Sequence, residues 1–325
     1  MSTAAEWETT GGGLLFAVLP HALLRCHRVP PRYDLIAIDL DGTLLDAKGR
    51  VSDANLAAVH AARAAGVRTV VCTGRGLAEC RHITSAIGQT DPVVVAGGSI
   101  IADPVGGQTL KRFPVKLALV HDTVDRLNAM GHAALVLKDP SEAGYDYLVV
   151  QGSQRLPLDP VTTWWFQNMS IKVRYIDRIH DDEHPEHTVR VGACGDSAAL
   201  ASLKADLLAA AAGKAQVHSF PAVVAPEHAS RFSDGRSLHI LELFDADATK
   251  WSAVSHLASK WEIAPGRIAA IGDEVNDESM IRAAGLGIAM GNAVPLIREA
   301  AKRHTRRHDE DGVAYAIDNI LSGAW

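Results

Sequence analysis

The apolar positions of the chain alternate between short continuous runs and stretches of helical period. Residues 35–38 form a run of four apolar side chains bounded by Asp34 and Asp39. Such a run reads as a strand buried on both faces, the kind found in parallel sheets. Ser52 then caps a helix that carries Leu56 and Val59 on one face, and Gly66 ends it. Residues 67–72 give a second β-rich run, leading into Thr73-Gly74-Arg75 and a helix over about 77–87. A third strand over 92–96 is closed by Gly97-Gly98. Strand, helix, strand, helix, strand predicts the opening of a doubly wound α/β sheet.

From about residue 116 to 240 the pattern changes. A helix over 117–130 is followed by β-rich runs at 134–138, 146–150, 171–176 and 188–194, a helix over 198–212, and a run at 216–224. Two helices among short strands predict an α+β module inserted into the α/β domain. Pro104, Gly106, Gly107 and Pro114 mark one approach to it, and Asp234-Gly235 marks the other. The alternation then resumes. Residues 241–244 read as a short strand leading to Thr249-Lys250, and a helix carries Val254 and Leu257. A strand over 267–271 delivers Gly272-Asp273-Glu274-Val275-Asn276-Asp277, and another over 286–290 ends at Gly291-Asn292. Two helices, over 294–303 and 313–321, close the chain. The expected division is an N-terminal extension over 1–32, an α/β core over 33–114 and 241–325, and an α+β insertion over 115–240.

Composition narrows the function classes. With a net charge of −6 over 325 residues, the chain is not expected to bind nucleic acid in general. The basic stretch 302–307 reads as a solvated helix end. Cys26, Cys72, Cys80 and Cys194 lack metal-type spacing and are too few for a disulfide scaffold, which favours a reducing cytoplasm. No run of about 18 apolar residues predicts a membrane span. Residues 14–24 are apolar but broken by Pro20 and His21, and Glu6 and Glu8 precede them, unlike a signal peptide.

Candidate chemistry begins at Asp39-Leu40-Asp41-Gly42-Thr43, just past the first strand. One carboxylate of such a pair can attack while the other moves a proton. An acidic turn alone would be unremarkable, but distant partners are present. Thr73-Gly74-Arg75, Lys250 and Asp273/Asn276/Asp277 all lie at predicted strand ends or just beyond them. In a parallel sheet those ends converge on one edge. Carboxylates gathered there would repel one another, and a hard divalent cation such as Mg²⁺ relieves the repulsion. Thr73 can donate to a phosphate oxygen and Lys250 can offset its charge, so the group is suited to phosphoryl transfer.

In the type, order and spacing of these four motifs the chain resembles the haloacid dehalogenase (HAD)-superfamily phosphatases, of the Cof-type branch with a type IIB cap. The likeness spans about residues 34 to 320, and the insertion lies where that branch carries its cap. The resemblance implies a Rossmann-like core, Mg²⁺, and hydrolysis of a small phosphorylated metabolite, with a sugar phosphate the expected class. It makes Asp39 the nucleophile that becomes an aspartyl-phosphate and Asp41 the acid and then base. It gives Thr73, Gly74, Lys250 and Asn276 to the phosphate. Mg²⁺ would be held by Asp39, the backbone carbonyl of Asp41, and Asp273, with Asp277 and Arg75 behind them. Glu274 would stand beside the metal, as a ligand or as a charge behind one.

Three features depart from the family pattern: Gly97-Gly98 replaces the usual Asn-Gly, the extension over 1–32 has no counterpart, and the loop 245–249 is unusually acidic. Within the cap, Trp164 and Trp165 either contact substrate or belong to the cap core. His184 and His187, set among Asp181, Asp182, Glu183 and Glu186, read as a solvated hairpin between the strands at 171–176 and 188–194 rather than a metal site. The rival functions are a phosphosugar mutase using the same intermediate and a non-catalytic metabolite-binding or regulatory protein. Intact Asp39, Asp41, Lys250 and Asp273 weigh against the second.

Overall fold

The computed structural model describes residues 31–222 and 237–325. The expected extension over 1–32, the end of the run at 216–224, and Asp234-Gly235 fall wholly or largely outside the described residues.

In chain order the first segment carries β1 (Leu35–Asp39), α1 (Asp53–Ala64), β2 (Arg68–Cys72), α2 (Leu77–Ala86), β3 (Val93–Val95), β4 (Ile100–Ala102) and β5 (Thr109–Arg112). The insertion carries α3 (Leu117–Ala129), β6 (Ala134–Lys138), α4 (Pro140–Ala143), β7 (Tyr147–Val150), α5 (Pro160–Asn168), β8 (Val173–Ile176), β9 (Thr188–Asp196), α6 (Ser197–Ala211), β10 (Ala215–Pro221) and β11 (Leu238–Asp245). The last segment carries α7 (Lys250–Lys260), β12 (Ile268–Gly272), α8 (Glu278–Ala283), β13 (Leu286–Ala289), α9 (Pro295–Ala300), β14 (Arg303–His304) and α10 (Gly312–Leu321).

Among the described residues the strands form two sheets. The core sheet runs β14-β13-β12-β1-β2-β3-β4-β5. From β14 to β3 it is parallel, and β4 and β5 continue it in antiparallel fashion. β1 is buried along its whole length because helices cover both faces, which is what its unbroken apolar run requires. The chain winds outward from β1 through β2 to β3, then returns to β12 on the other side of β1. The strand order therefore reverses between β1 and β12, and the crevice at the carboxyl ends of those two strands is where ligands bind in such sheets.

The cap sheet runs β10-β11-β9-β6-β7-β8, antiparallel except for β7 with β8. α3 and α6 pack on it around a separate apolar cluster that includes Val124, Leu127, Leu200, Leu203 and Leu241. Core and cap are not sealed off from each other, since Leu137, Tyr147 and Val189 of the cap belong to the core's apolar cluster.

Four expectations need correcting. Residues 241–244 belong to the cap, because β11 pairs with β9 and β10 along its full length; the cap therefore ends after Asp245 and not at 240. An apolar run of that length announces a strand but not the sheet it joins. The strands at 171–176 and 188–194 make no hairpin. β8 lies at the sheet edge beside β7, whereas β9 sits centrally between β6 and β11. The basic stretch 302–307 is not a helix end, since α9 stops at Ala300 and Arg303–His304 form the edge strand β14. Finally, β4, β5, α4 and α5 were not anticipated.

Candidate active site

The site is assembled at the reversal point between β1 and β12. Asp39 ends β1 and is almost fully buried. The chain then turns sharply, with Gly42 at φ 76°. A β-carbon at Gly42 would lie 2.2 Å from Asp273 Oδ2, so glycine is required both by the turn and by the approach of that carboxylate. Thr43 Oγ1 donates to Asp273 Oδ1 at 2.8 Å and ties the loop after β1 to the loop after β12.

Lys250 lies at the centre. Its Nζ donates to Asp39 Oδ1 at 2.6 Å, to Asp277 Oδ1 at 2.5 Å and to Asn276 Oδ1 at 3.3 Å, with the side chain fully buried. It is not delivered by a core strand, as the sequence suggested, because the strand before it belongs to the cap. It is instead the first residue of α7, whose cap Thr249 accepts the backbone N–H of Ser252. A cation in the first turn opposes the helix dipole, so local preference yields here to the site. The Gly97-Gly98 turn explains how Lys250 is held. A β-carbon at Gly98 would come within 2.6 Å of the backbone of Thr249 and Lys250. Gly97 has φ 70°, where Asn is tolerated, but its β-carbon would lie 2.8 Å from the Phe244 ring.

Asp277 spends both oxygens within the protein: Oδ1 on Lys250, Oδ2 on the backbone N–H groups of Asp273 and Glu274. It holds the loop and the lysine. Asp41 is partly exposed and gripped by Arg75 through Nε to Oδ2 at 2.9 Å and Nη2 to Oδ1 at 2.5 Å. In the described geometry Arg75 therefore pairs with a carboxylate. Thr73 is fully buried, and its hydroxyl accepts the Arg75 N–H.

Electrostatics follow from burial and crowding. Burial, then the charges of Asp277 and Asp273, push Asp39 well above the usual carboxylate range, while Lys250 pulls it down. Burial and Asp277 raise Asp273 to about 7, against the hydrogen bond from Thr43 and the charge of Lys250. Burial works against the Lys250 charge, but Asp277 and Asp39 outweigh it and hold the ammonium firmly protonated.

Oxygens of Asp39, Asp273 and Asp277 lie within 4.8 Å of one another. An all-oxygen donor set with excess buried negative charge suits a hard divalent cation. Because Asp277 is already committed, Asp39 and Asp273 are the carboxylates best placed to face it. Sequence reasoning passed over Asn292, whose amide donates to the Gly42 carbonyl at 2.8 Å and to Asp273 Oδ2 at 3.2 Å. Its signal was available, since Gly291-Asn292 ends a core strand as the other motifs do.

A cavity of about 490 Å³ opens from these groups toward the cap. Asp39, Asp41, Gly74, Arg75, Asp273 and Asn276 line its core side, while Thr73, Lys250 and Asp277 stand behind that wall. Trp165, Tyr147, Arg190 and Glu242 line its cap side. Trp164 is not in the wall. Glu274 lines the cavity, and its carboxylate accepts the Val275 N–H.

Comparison with known proteins agrees with this geometry. A family model described as haloacid dehalogenase-like hydrolase matches residues 36–317. The phosphatase YwpJ of Bacillus subtilis is 30% identical over 88% of this chain and 99% of its own length. The 5-amino-6-(5-phospho-D-ribitylamino)uracil phosphatase YwtE of the same organism is 29% identical over 89% of this chain and 99% of its own. The crystal structure of a haloacid dehalogenase-like hydrolase from Bacteroides thetaiotaomicron superposes with a TM-score of 0.69 at 26% identity, covering 89% of this chain and 99% of that one. The chain belongs to the haloacid dehalogenase-like hydrolases, in their Cof-type phosphatase branch.

Proposed function

We propose that the protein hydrolyses a small phosphorylated metabolite through an aspartyl-phosphate on Asp39, with Mg²⁺ bound. The observation that carries this reading is the Lys250 ammonium held between Asp39 and Asp277, directly behind the wall of a cavity that Asp39 and Asp41 line. Lys250 opposes the protonation that burial favours at Asp39, whose anionic form a nucleophile requires. An Asp39 oxygen attacks phosphorus as the ester P–O bond breaks, and Asp41 gives its proton to the departing alkoxide. Asp41 then takes a proton from the water that attacks phosphorus, the Asp39–phosphate bond breaks, and inorganic phosphate leaves. Lys250 and Asn276 stand beside the transferring group, and Arg75 orients Asp41. Mg²⁺, held by Asp39 and Asp273 with the Asp41 carbonyl, would supply charge neutralisation for the phosphoryl oxygens. Asn292 and Thr43 orient Asp273 toward it.

The alcohol side of the substrate is met by the cap. The resemblance suggests a sugar phosphate, and the compound in the relative YwtE's name is likewise a polyol monophosphate. A phosphate-release screen of phosphorylated metabolites with Mg²⁺, repeated in excess chelator, tests the reading. Release that needs Mg²⁺ and discriminates among metabolites is expected. Undiminished release in chelator contradicts it.

A further inference from the structure

We propose that Glu79 is a positioning residue that fastens the cap onto the phosphate-binding loop, so that the closed cap and the catalytic geometry form together. The inference rests on the phosphatase reading above and adds a role for a residue no motif contains.

Glu79 is the third residue of α2 and 3% exposed. A carboxylate there can close a capping interaction with the start of its helix, and Oε2 does so by accepting the Gly76 N–H. That needs only one oxygen. The other, Oε1, faces the cap, where it accepts Tyr147 Oη at 3.1 Å from β7 and Trp165 Nε1 at 2.9 Å from α5. One core carboxylate thus gathers two donors from separate cap elements and a third from the loop Thr73–Gly76.

The fastening continues on both sides. Arg190 of β9 donates to the Gly74 carbonyl at 2.9 Å and to Tyr147 Oη at 2.6 Å, and pairs with Glu242 of β11 at 2.6 Å. Trp165 also lies under the Arg75 guanidinium, 5.6 Å from its ring centroid, and Arg75 holds both oxygens of Asp41. A displaced cap would therefore leave several buried polar groups unpaired and withdraw the ring beneath Arg75. The penalty for stranding such groups exceeds the gain from forming them, which makes the arrangement closer to all-or-none than graded.

Glu79→Gln tests this with little change of volume. An amide has one acceptor oxygen, so it can serve Gly76 or the cap, not both. With p-nitrophenyl phosphate and Mg²⁺, kcat is expected to fall about tenfold, the scale of one lost hydrogen bond to a charged group. KM should move by less than about threefold, because the residues beside the phosphate are untouched. Tyr147→Phe should cost a similar factor, and the double variant should lose less than the product of the two single losses, since both remove the Tyr147–Glu79 contact. Wild-type kcat in Glu79→Gln, or losses that multiply in the double variant, would overturn the proposal. If Glu79→Gln does not fold, Tyr147→Phe and Trp165→Phe carry the same test, because both donors end on Oε1. Losses that multiply between them reject a shared acceptor. A wild-type protein that releases no phosphate from any monoester instead contradicts the phosphatase reading itself.

Discussion

Asp39 and Asp41 are two residues apart yet meet different surroundings. Asp39 is buried against Lys250, whereas Asp41 is partly exposed and held by Arg75. That contrast fits a nucleophile fixed in place and an acid–base group that reaches the leaving oxygen. Asp41→Asn should lower turnover of an alkyl phosphate by about 10²–10⁴, the usual contribution of general acid–base catalysis. Formation of the phosphoenzyme from p-nitrophenyl phosphate should suffer less, because p-nitrophenolate leaves without a proton. Comparing rapid-quench burst rates for the two substrates checks this. Lys250→Met removes the cation that two buried carboxylates share. Breaking a buried pair from one side costs about 3–5 kcal/mol, to be read from the urea midpoint. A variant of unchanged stability would mean that Asp39 and Asp277 do not depend on Lys250.

Among the elements, β1, β3 and β12 were legible in the sequence because strands buried on both faces read as apolar runs, and β2 and β13 as β-rich runs between helices. The loops after them carry the motifs, so most of the residues gathered at the candidate site were legible as well. What periodicity did not reveal was sheet membership. β11 reads like the other strands, and only its pairing with β9 and β10 places it in the cap. Glu79 escaped for a related reason: its importance lies in a contact across a long sequence separation, to Trp165, which no local pattern encodes. The Gly97-Gly98 turn yields a prediction at this scale. Gly98→Ala drives a β-carbon into the Thr249–Lys250 backbone at a positive φ. Overpacking of this kind costs about 1–3 kcal/mol. Because the strain falls on the residue that carries Lys250, kcat should drop well beyond what the change in melting temperature accounts for. A variant that melts lower but keeps its kcat would detach the turn from the site.

For the whole molecule, the crowded carboxylates couple stability to pH and metal. Asp273 sits at about 7 and Asp39 is also raised, while in the unfolded chain both lie near 4. Between those values the folded, metal-free protein binds protons that the unfolded chain has released. Its stability therefore falls as pH rises from about 4 to about 7. A cation competes with those protons, so the stabilisation by Mg²⁺ should grow across the same window. Melting with and without Mg²⁺ at both ends of the window tests this, and a Mg²⁺ shift independent of pH would contradict it. The two-sheet architecture also divides the cavity lining, with Asp39, Asp41 and Asp273 on the core and Tyr147, Trp165, Arg190 and Glu242 on the cap. Among the described residues no helix is long and apolar enough to cross a membrane.

If phosphate passes through Asp39, the phosphoenzyme can be trapped there. Asp41→Asn, mixed with p-nitrophenyl phosphate and Mg²⁺ and quenched in acid, should carry one phosphoryl group. Peptide mass mapping should place it on Asp39, and neither excess chelator nor Asp39→Asn should allow it. Phosphoryl transfer to any other residue, or wild-type turnover by Asp39→Asn, would show that the nucleophile has been misassigned.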